Sequence, residues 1–302
     1  MRHVPVLLNE VIEALSLKPN QNVIDCTLGD GGHAENILER TSPKGKLLGI
    51  DADPEAMFRA KQFLYRFQHR ITFVRDNFSN IKKIVDENHW GPVDRILMDL
   101  GWSSPQFTER GRGFSFEKNE PLDMRYAPQD KLSSSAADIL CTETRQTLAN
   151  MFRTYGEERL SEEIAQAIIL KRKNQSINTT FQLVDIILEI YRKKLQTKKE
   201  VPWIGGLHPA TKVFQALRIA VNDELSALKN GLRGAINVLS SGGILAVITF
   251  HSGEDRIVKH FFRSQTDKTL SLLTKKPITC SAAESQINAR ALSAKLRVIQ
   301  KK

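Results

Sequence analysis

The sequence predicts an open, mostly parallel α/β sheet interrupted by a mainly helical insertion. Two observations predict it. In the first third of the chain short apolar runs alternate with amphipathic stretches, and the alternation resumes near the C-terminus. Strands and helices wound in turn produce that pattern. Between these parts, residues 135–199 are almost wholly helical in period.

Residues 22–26 form a short apolar strand and 32–40 a helix. A second strand covers 46–51 (KLLGID). The helix at 54–67 carries Pro54 in its first turn, where the missing N–H removes no helical bond. A third strand spans 71–75, a helix 78–87 and a fourth strand 93–100 (VDRILMDL). The last is continuously apolar in character, as a strand covered on both faces should be. Residues 101–130 are rich in Gly, Pro, Ser and charge around RGRGF. Within the helical part, 161–173 opens on Ser161 before Glu163 and Ile164, a plausible capped start. After a loop at 202–208, residues 210–239 read as one long helical stretch with a break at Gly231 or Gly234. A buried strand at 243–250 (GILAVITF), a helix at 254–263 and a final edge strand at 295–300 follow. These assignments give a core of residues 1–106 and 207–302 and an inserted, mainly helical substrate-recognition domain of 107–206.

Composition narrows the function. The chain has 302 residues and a net charge of +10. The charge is uneven: residues 1–106 carry −1, 107–206 carry +2 and 207–302 carry +9. Clustered Lys and Arg gain affinity by releasing counterions from phosphates, so a polyanionic partner is expected. Lys275, Lys276, Lys295 and Arg297 are the expected grip. A second cluster, Lys171-Arg172-Lys173 with Arg192-Lys193-Lys194, lies mid-chain. No apolar run is long enough to span a membrane and no secretory leader is expected. Cys26, Cys141 and Cys280 are far apart and form no C-x-x-C, so neither a disulfide framework nor a metal site is expected. A reducing cytoplasm suits them.

The turn Leu28-Gly29-Asp30-Gly31-Gly32-His33 lies between the first strand and first helix. It lacks side chains where a ligand approaches the backbone. Asp51, ending the second strand, can accept hydrogen bonds from ribose hydroxyls. The unit binds a nucleotide but leaves its identity open. Gly29, Gly31 and Ala34 also satisfy G-x-G-x-x-A, with Asp51 placed as NAD-binding folds place their acid. An NAD-dependent oxidoreductase therefore stands as one reading, and glycines serving only a tight turn as another.

Two later features favour S-adenosylmethionine. Asp76-Asn77-Phe78 follows the third strand and can flank an adenine by edge hydrogen bonds and stacking. Asp99-Leu100-Gly101-Trp102 follows the fourth strand and puts an acid at the cofactor's reactive end. An exocyclic base amine is a poor nucleophile because its lone pair is delocalised into the ring. An acceptor at its N–H groups localises that pair, and alignment with the sulfonium methyl supplies much of the remaining acceleration. Asp99 either does this, or holds the donor's amino group, or only caps the next turn.

The ordered motifs are more specific. They begin with His3-Val4-Pro5-Val6-Leu7 and residues 25–33, then Asp99-Leu100-Gly101 with Ser103-Ser104-Pro105-Gln106. Arg112-Gly113-Phe114-Ser115-Phe116, Pro121-Leu122-Asp123-Met124-Arg125 and 208–225 (HPATKVFQALRIAVNDEL) continue the series. Phe250-His251-Ser252, then 254–259, and Ser293-Ala294-Lys295-Leu296-Arg297 close it. Across nearly its whole length the chain resembles the bacterial small-subunit rRNA (cytosine-N4)-methyltransferase H family. The resemblance implies a class I S-adenosylmethionine methyltransferase core, Rossmann-like, with an inserted helical domain. It implies methylation of the N4 amine of a decoding-centre cytidine in 16S rRNA within the small ribosomal subunit. It implies cofactor contacts at Gly31, Gly32, His33, Asp51, Phe78, Asp99 and Gln106; Asp99 is also the candidate catalytic residue, on the chemical argument above. Trp102, Gly253, Cys280 and residues 288–293 depart from the family pattern and bear on loop shape and RNA fit. A non-catalytic RNA-binding assembly factor is the remaining alternative.

Other residues carry smaller expectations. His251 orients a loop by hydrogen bonding or serves as a base. His208, before Pro209, helps start the long helix. Phe114 and Phe116 stack on a base or anchor the insertion. Trp90 and Trp203 are expected to be structural.

Overall fold

The computed structural model describes residues 5–101, 111–126, 134–199, 201, 203–204, 206–266 and 269–302. The chain divides into two compact units, Met1–Ser103 with Leu225–Lys302, and Ser104–Glu224.

In the first unit the described strands are β1 (Val23–Asp25), β2 (Leu47–Asp51), β3 (Ile71–Arg75), β4 (Val93–Asp99), β5 (Leu239–Thr249), β6 (Leu270–Leu272) and β7 (Lys295–Lys301). They form one sheet in the order β3-β2-β1-β4-β5-β7-β6. The first five run parallel, and β7 runs antiparallel to both neighbours. Strand order reverses between β1 and β4, so their carboxyl ends open the crevice where open α/β sheets bind ligands.

Alternate residues of each strand enter opposite cores, as the period of two requires. Val23, Leu47 and Leu97 pack with α1 (Leu8–Leu15), α2 (Gly32–Arg40) and α3 (Pro54–Phe63). Ile24, Leu48, Ile96 and Met98 pack on the other face with α4 (Ile81–Glu87) and two later helices. Both faces are therefore dry, which explains the continuous apolar character of β4.

Several expectations need correction here. The strand expected at the sheet edge, 295–300, is β7 and lies between β5 and β6. The edge is β6, three residues long and too short to show alternation in sequence. Helix α1 adds to the elements read from the sequence; Leu8, Val11, Ile12 and Leu15 recur at the helical period over its eight residues, and Val11 and Leu15 are fully buried. The long helical stretch does not break at Gly231 or Gly234. It breaks at Asn222–Asp223, where Asp223 is left-handed at φ 46°. Gly231 and Gly234 lie inside the following helix. A β-carbon at Gly231 would meet the Phe78 ring at 2.5 Å, and one at Gly234 would meet Ile81 at 2.5 Å. Those glycines serve close packing against the segment after β3, not a break.

The second unit holds α5 (Ala136–Thr142), α6 (Arg145–Gly156), α7 (Ser161–Arg172), α8 (Thr180–Leu195) and α9 (Thr211–Val221). Leu148, Phe152, Ile164, Ile168, Leu183, Ile187, Val213 and Leu217 are buried in it. Ser135 with Asp138 and Thr179 with Gln182 form capping boxes that start α5 and α8. Ser161 is not a cap; it is the first helical residue, and buried Glu158 accepts the Leu160 N–H instead, at 2.8 Å. The unit boundary near residue 224 lies beyond the 206/207 expected from sequence. The cause is α9. Gly156 of α6 lets the Lys212 backbone approach closely, and Gln215 Nε2 donates to the Tyr155 carbonyl at 2.9 Å.

The first unit continues with α10 (Glu224–Val238), α11 (Ser252–Gln265) and α12 (Ala282–Ile287), which complete the helices named here. No helix among the described residues is long and apolar enough to cross a membrane.

Candidate functional site

Three acids end three neighbouring strands. Asp25 closes β1, Asp51 closes β2 and Asp99 closes β4. Between them runs the glycine turn. Leu28 N–H donates to the Ile50 carbonyl at 2.9 Å, and Gly31 N–H donates back to Leu28 at 2.8 Å. Gly29 and Gly31 both take left-handed conformations, at φ 51° and 86°. A β-carbon on Gly31 would stand 2.8 Å from Leu64, so both backbone and space demand glycine there. Gly32 begins α2 against Pro5, whose ring a β-carbon would strike.

Asp51 organises this turn. Its Oδ2 accepts the Gly29 N–H and its Oδ1 the Asp53 N–H, both at 2.8 Å. Each oxygen keeps a further lone pair, enough to accept from a ribose hydroxyl. Asp99 is anchored similarly. Its N–H donates to the Thr27 hydroxyl at 2.7 Å, and its Oδ1 accepts the Gly101 N–H at 3.0 Å. A β-carbon on Gly101 would stand 2.6 Å from the Phe250 ring and 2.9 Å from Asp99 Oδ1. Glycine at 101 thus keeps the catalytic candidate in place. Asp99 Oδ2 faces His33 Nε2 at 3.5 Å.

Burial pushes the Asp25 carboxyl up to about 6; Asp99 and Asp51 add to the rise, while His33 and the Thr27 N–H oppose it. Burial likewise pushes Asp51 up to about 6, against the N–H groups of Asp53 and Gly29. Acids raised in this way bind protons in the folded chain that the unfolded chain has already released. Stability therefore declines as pH rises from about 4 to about 6. A cationic ligand reverses the balance by favouring the ionised acids. S-adenosylmethionine affinity is expected to increase as pH rises through about 6, with protons expelled on binding. Calorimetric titration in two buffers of different ionisation enthalpy checks this; equal heats and a constant Kd between about pH 5 and 7 would refute it.

Phe78 opens a short 3-10 turn, Phe78–Asn80, after β3. Its ring lies against Gly231 and the adjoining core, leaving part of it exposed. Asp76 is occupied within the loop, where Oδ1 accepts the Asn77 N–H at 2.6 Å and Asn80 Nδ2 at 2.9 Å. Gly31, Gly32, His33, Asp51 and Asp99 thus gather at one end of the sheet, and Phe78 follows β3 at the same end. Gln106 and Trp102 lie outside the described residues. Asp25 and Thr27 belong to the cluster although their types alone marked neither as a site residue. The signal was positional: both flank the strand-to-turn junction. Arg290, whose basicity burial lowers and Asp99 supports, approaches from the 3-10 segment Ala289–Ser293.

Elsewhere the geometry revises the smaller expectations. His251 starts α11: its Nδ1 accepts the Glu254 N–H at 3.4 Å, and Glu254 accepts the Phe250 N–H at 2.7 Å. That is the orienting role. His208 Nδ1 accepts the Ala210 N–H just before α9. Phe114 is buried and stacks on Tyr126, while Phe116 stacks on His208 at 4.5 Å and meets Phe214 edge-on. These rings anchor the second unit internally. Trp90 packs against the core, but Trp203 is exposed, contrary to the structural role expected of it. Of the expected basic grip, Lys275 and Lys276 are exposed. Arg297 is buried and donates to Asp255 at 2.7 and 3.1 Å, so it holds β7 to α11 and does not face a partner. Lys295 lies 3.9 Å from the same carboxylate. The three cysteines are free thiols, and burial raises Cys26.

The chain is similar to known methylases along its whole length. The model of the MraW methylase family matches residues 1–302. The ribosomal RNA small subunit methyltransferase H of Symbiobacterium thermophilum is 44% identical, covering 99% of this chain and 96% of its own. The protein of that name from Heliobacterium mobile is 43% identical, over 99% of this chain and 98% of its own. That of Clostridioides difficile is 40% identical, over 99% and 98%. The match decides what G-x-G-x-x-A left open, in favour of a methyltransferase and against a nicotinamide enzyme.

Proposed function

We propose, from the premise that this chain belongs to the MraW methylase family, that it methylates the N4 amine of a decoding-centre cytidine in 16S rRNA. The substrate is the RNA within the small ribosomal subunit, in the cytoplasm. The observation that carries the reading is Asp99, anchored at its backbone and at one oxygen, with its other oxygen 3.5 Å from His33 Nε2.

S-adenosylmethionine, when bound, supplies an electrophilic methyl on a positively charged sulfur. The residues present suit it. Gly31 and Gly32 would give backbone access, Asp51 would accept from ribose hydroxyls, Phe78 would stack beside the adenine, and His33 and Asp99 would border the reactive end. Gln106 is assigned a cofactor contact through the family resemblance. Asp99 Oδ2 accepts an N–H of the cytidine amine, which localises the nitrogen pair and aligns it for attack. The amine of a stacked cytosine is hidden, so the base turns out of its stack to reach Asp99. The Ser104–Glu224 unit is assigned to RNA recognition.

The test uses tritiated S-adenosylmethionine and small subunits lacking the mark. Label recovered as N4-methylcytidine is expected; label on another nucleoside or none would refute the assignment. Exposed Lys275 and Lys276 are expected to contact phosphates. Replacing both with Ala should weaken RNA binding and reduce the slope of log K against log salt by about one to two units. An unchanged slope would show that this segment does not touch RNA.

A further inference from the structure

Among the described residues, His33 alone has both ring nitrogens buried without a hydrogen-bond partner. The residue is only 6% exposed, at the first turn of α2. Buried polar groups are nearly always paired, and exceptions mark a ligand or a catalytic role. The groups facing the imidazole are acids. Asp99 from β4 stands 3.5 Å from Nε2. Asp25 from β1 senses the charge of both His33 and Asp99, and that of Asp51 from β2. Arg290, from the C-terminal segment, is the cation that bears on Asp99.

Methylating an amine leaves a proton to place. The nitrogen pair forms the bond to the methyl carbon. The bond from that carbon to sulfur breaks, and its electrons stay on sulfur, which becomes neutral. The nitrogen then carries a positive charge and one proton too many. We propose that Asp99 and His33 form the relay that removes it, Asp99 Oδ2 taking the proton from N4 and His33 Nε2 drawing it off as imidazolium. The proposal rests on Asp99 lying beside N4, as argued above. No co-reactant is needed, because the imidazolium loses its proton to solvent once the products leave.

The chemistry itself sets the direction. Before transfer, the positive sulfur disfavours a second positive charge beside it. After transfer that charge is gone, and the carboxylates of Asp25 and Asp99 favour the imidazolium. Asp99 is the catalytic residue; His33 acts through it as a relay.

The first test reads His33 directly in the wild-type protein. With 15N-labelled histidine, its protonation is followed by NMR in complexes with S-adenosylmethionine and with S-adenosylhomocysteine. The expected result is about tenfold higher proton affinity in the homocysteine complex. Equal affinities overturn the relay. The second test is His33→Gln in single-turnover methylation of small subunits from about pH 5.5 to 8.5. The expected result is a rate lower by about ten- to a hundredfold, without the histidine limb of the pH profile. The Kd for S-adenosylmethionine should change less than the rate does, by a margin of at least about tenfold, or about 1.4 kcal/mol. An unchanged profile, or an effect confined to that Kd, makes His33 a cradle contact and overturns the relay. If the variant does not fold, the NMR comparison decides. Wild-type product without N4-methylcytidine overturns the reading of the amine itself. N4-methylcytidine formed with an unchanged variant profile overturns only the relay.

Discussion

Asp99→Asn is expected to slow methyl transfer about a thousandfold in a single turnover, within the range for removing a positioned acid–base group. The amide keeps one carbonyl oxygen, so the Gly101 N–H retains an acceptor and the turn survives. What disappears is the carboxylate at the other oxygen, 3.5 Å from His33 Nε2, which the proposal has accept from the amine. Cofactor binding should weaken far less than the rate, because Asp51 and the glycine backbone remain intact. Measuring the Kd for S-adenosylmethionine beside the single-turnover rate separates the two effects. A rate within about tenfold of wild type would remove Asp99 from the chemistry. A non-catalytic assembly factor makes the opposite forecast, with the biological effect intact in Asp99→Asn.

Asp255→Ala is expected to destabilise the fold by about 3 kcal/mol, the range for breaking a buried ion pair. Arg297 is 8% exposed and presents two N–H donors to the Asp255 carboxylate. Removing the acid strands a buried guanidinium between β7 and α11. Burial works to raise the Asp255 carboxyl, yet the Arg297 contacts hold it below its ordinary value of 3.8. A depressed carboxyl stabilises the fold above the unfolded value and loses that contribution as pH falls through the folded one. The difference between wild type and variant should therefore be full at neutral pH and shrink below about 4. Urea denaturation at the two pH values measures it. A loss below about 0.5 kcal/mol at neutral pH would show that the pair contributes little, as exposed pairs do. The same pair explains why part of the basic C-terminal third is not available to RNA.

The strand-and-helix alternation of residues 22–99 was legible because β1, β2 and β4 are buried on both faces and the helices on one, while β3, at the sheet edge, is only partly buried. Burial of that kind writes its period into the side chains. Gly31 and Asp51 were legible for a related reason: a left-handed turn admits few residue types, and an acid at a strand end is rare within apolar runs. Elements under little packing pressure were not legible. Strand β6 is three residues long and α12 buries no residue, while α1 carries its amphipathic repeat for only eight residues. Gly231 and Gly234 misled because glycine lowers helix propensity in isolation, whereas here Phe78 and Ile81 need the space.

The sequence by itself determined the alternating core, the glycine turn, the order of the motif blocks and the uneven charge. Each depends on residue type and spacing along one segment. The tertiary structure alone decided which charges are available, where β7 lies and what surrounds His33. Arg297 and Lys275 are equally basic as letters. Only the approach of Asp255, from a helix 42 residues earlier, makes one an internal tie and leaves the other in solvent. His33 likewise stands in the sequence as one residue of a cofactor turn. Its approach to Asp99, with Asp25 near enough to feel its charge, exists because β1 and β4 lie side by side at the switch point. Contacts between segments distant in the chain depend on strand order, and strand order is not written in any local pattern.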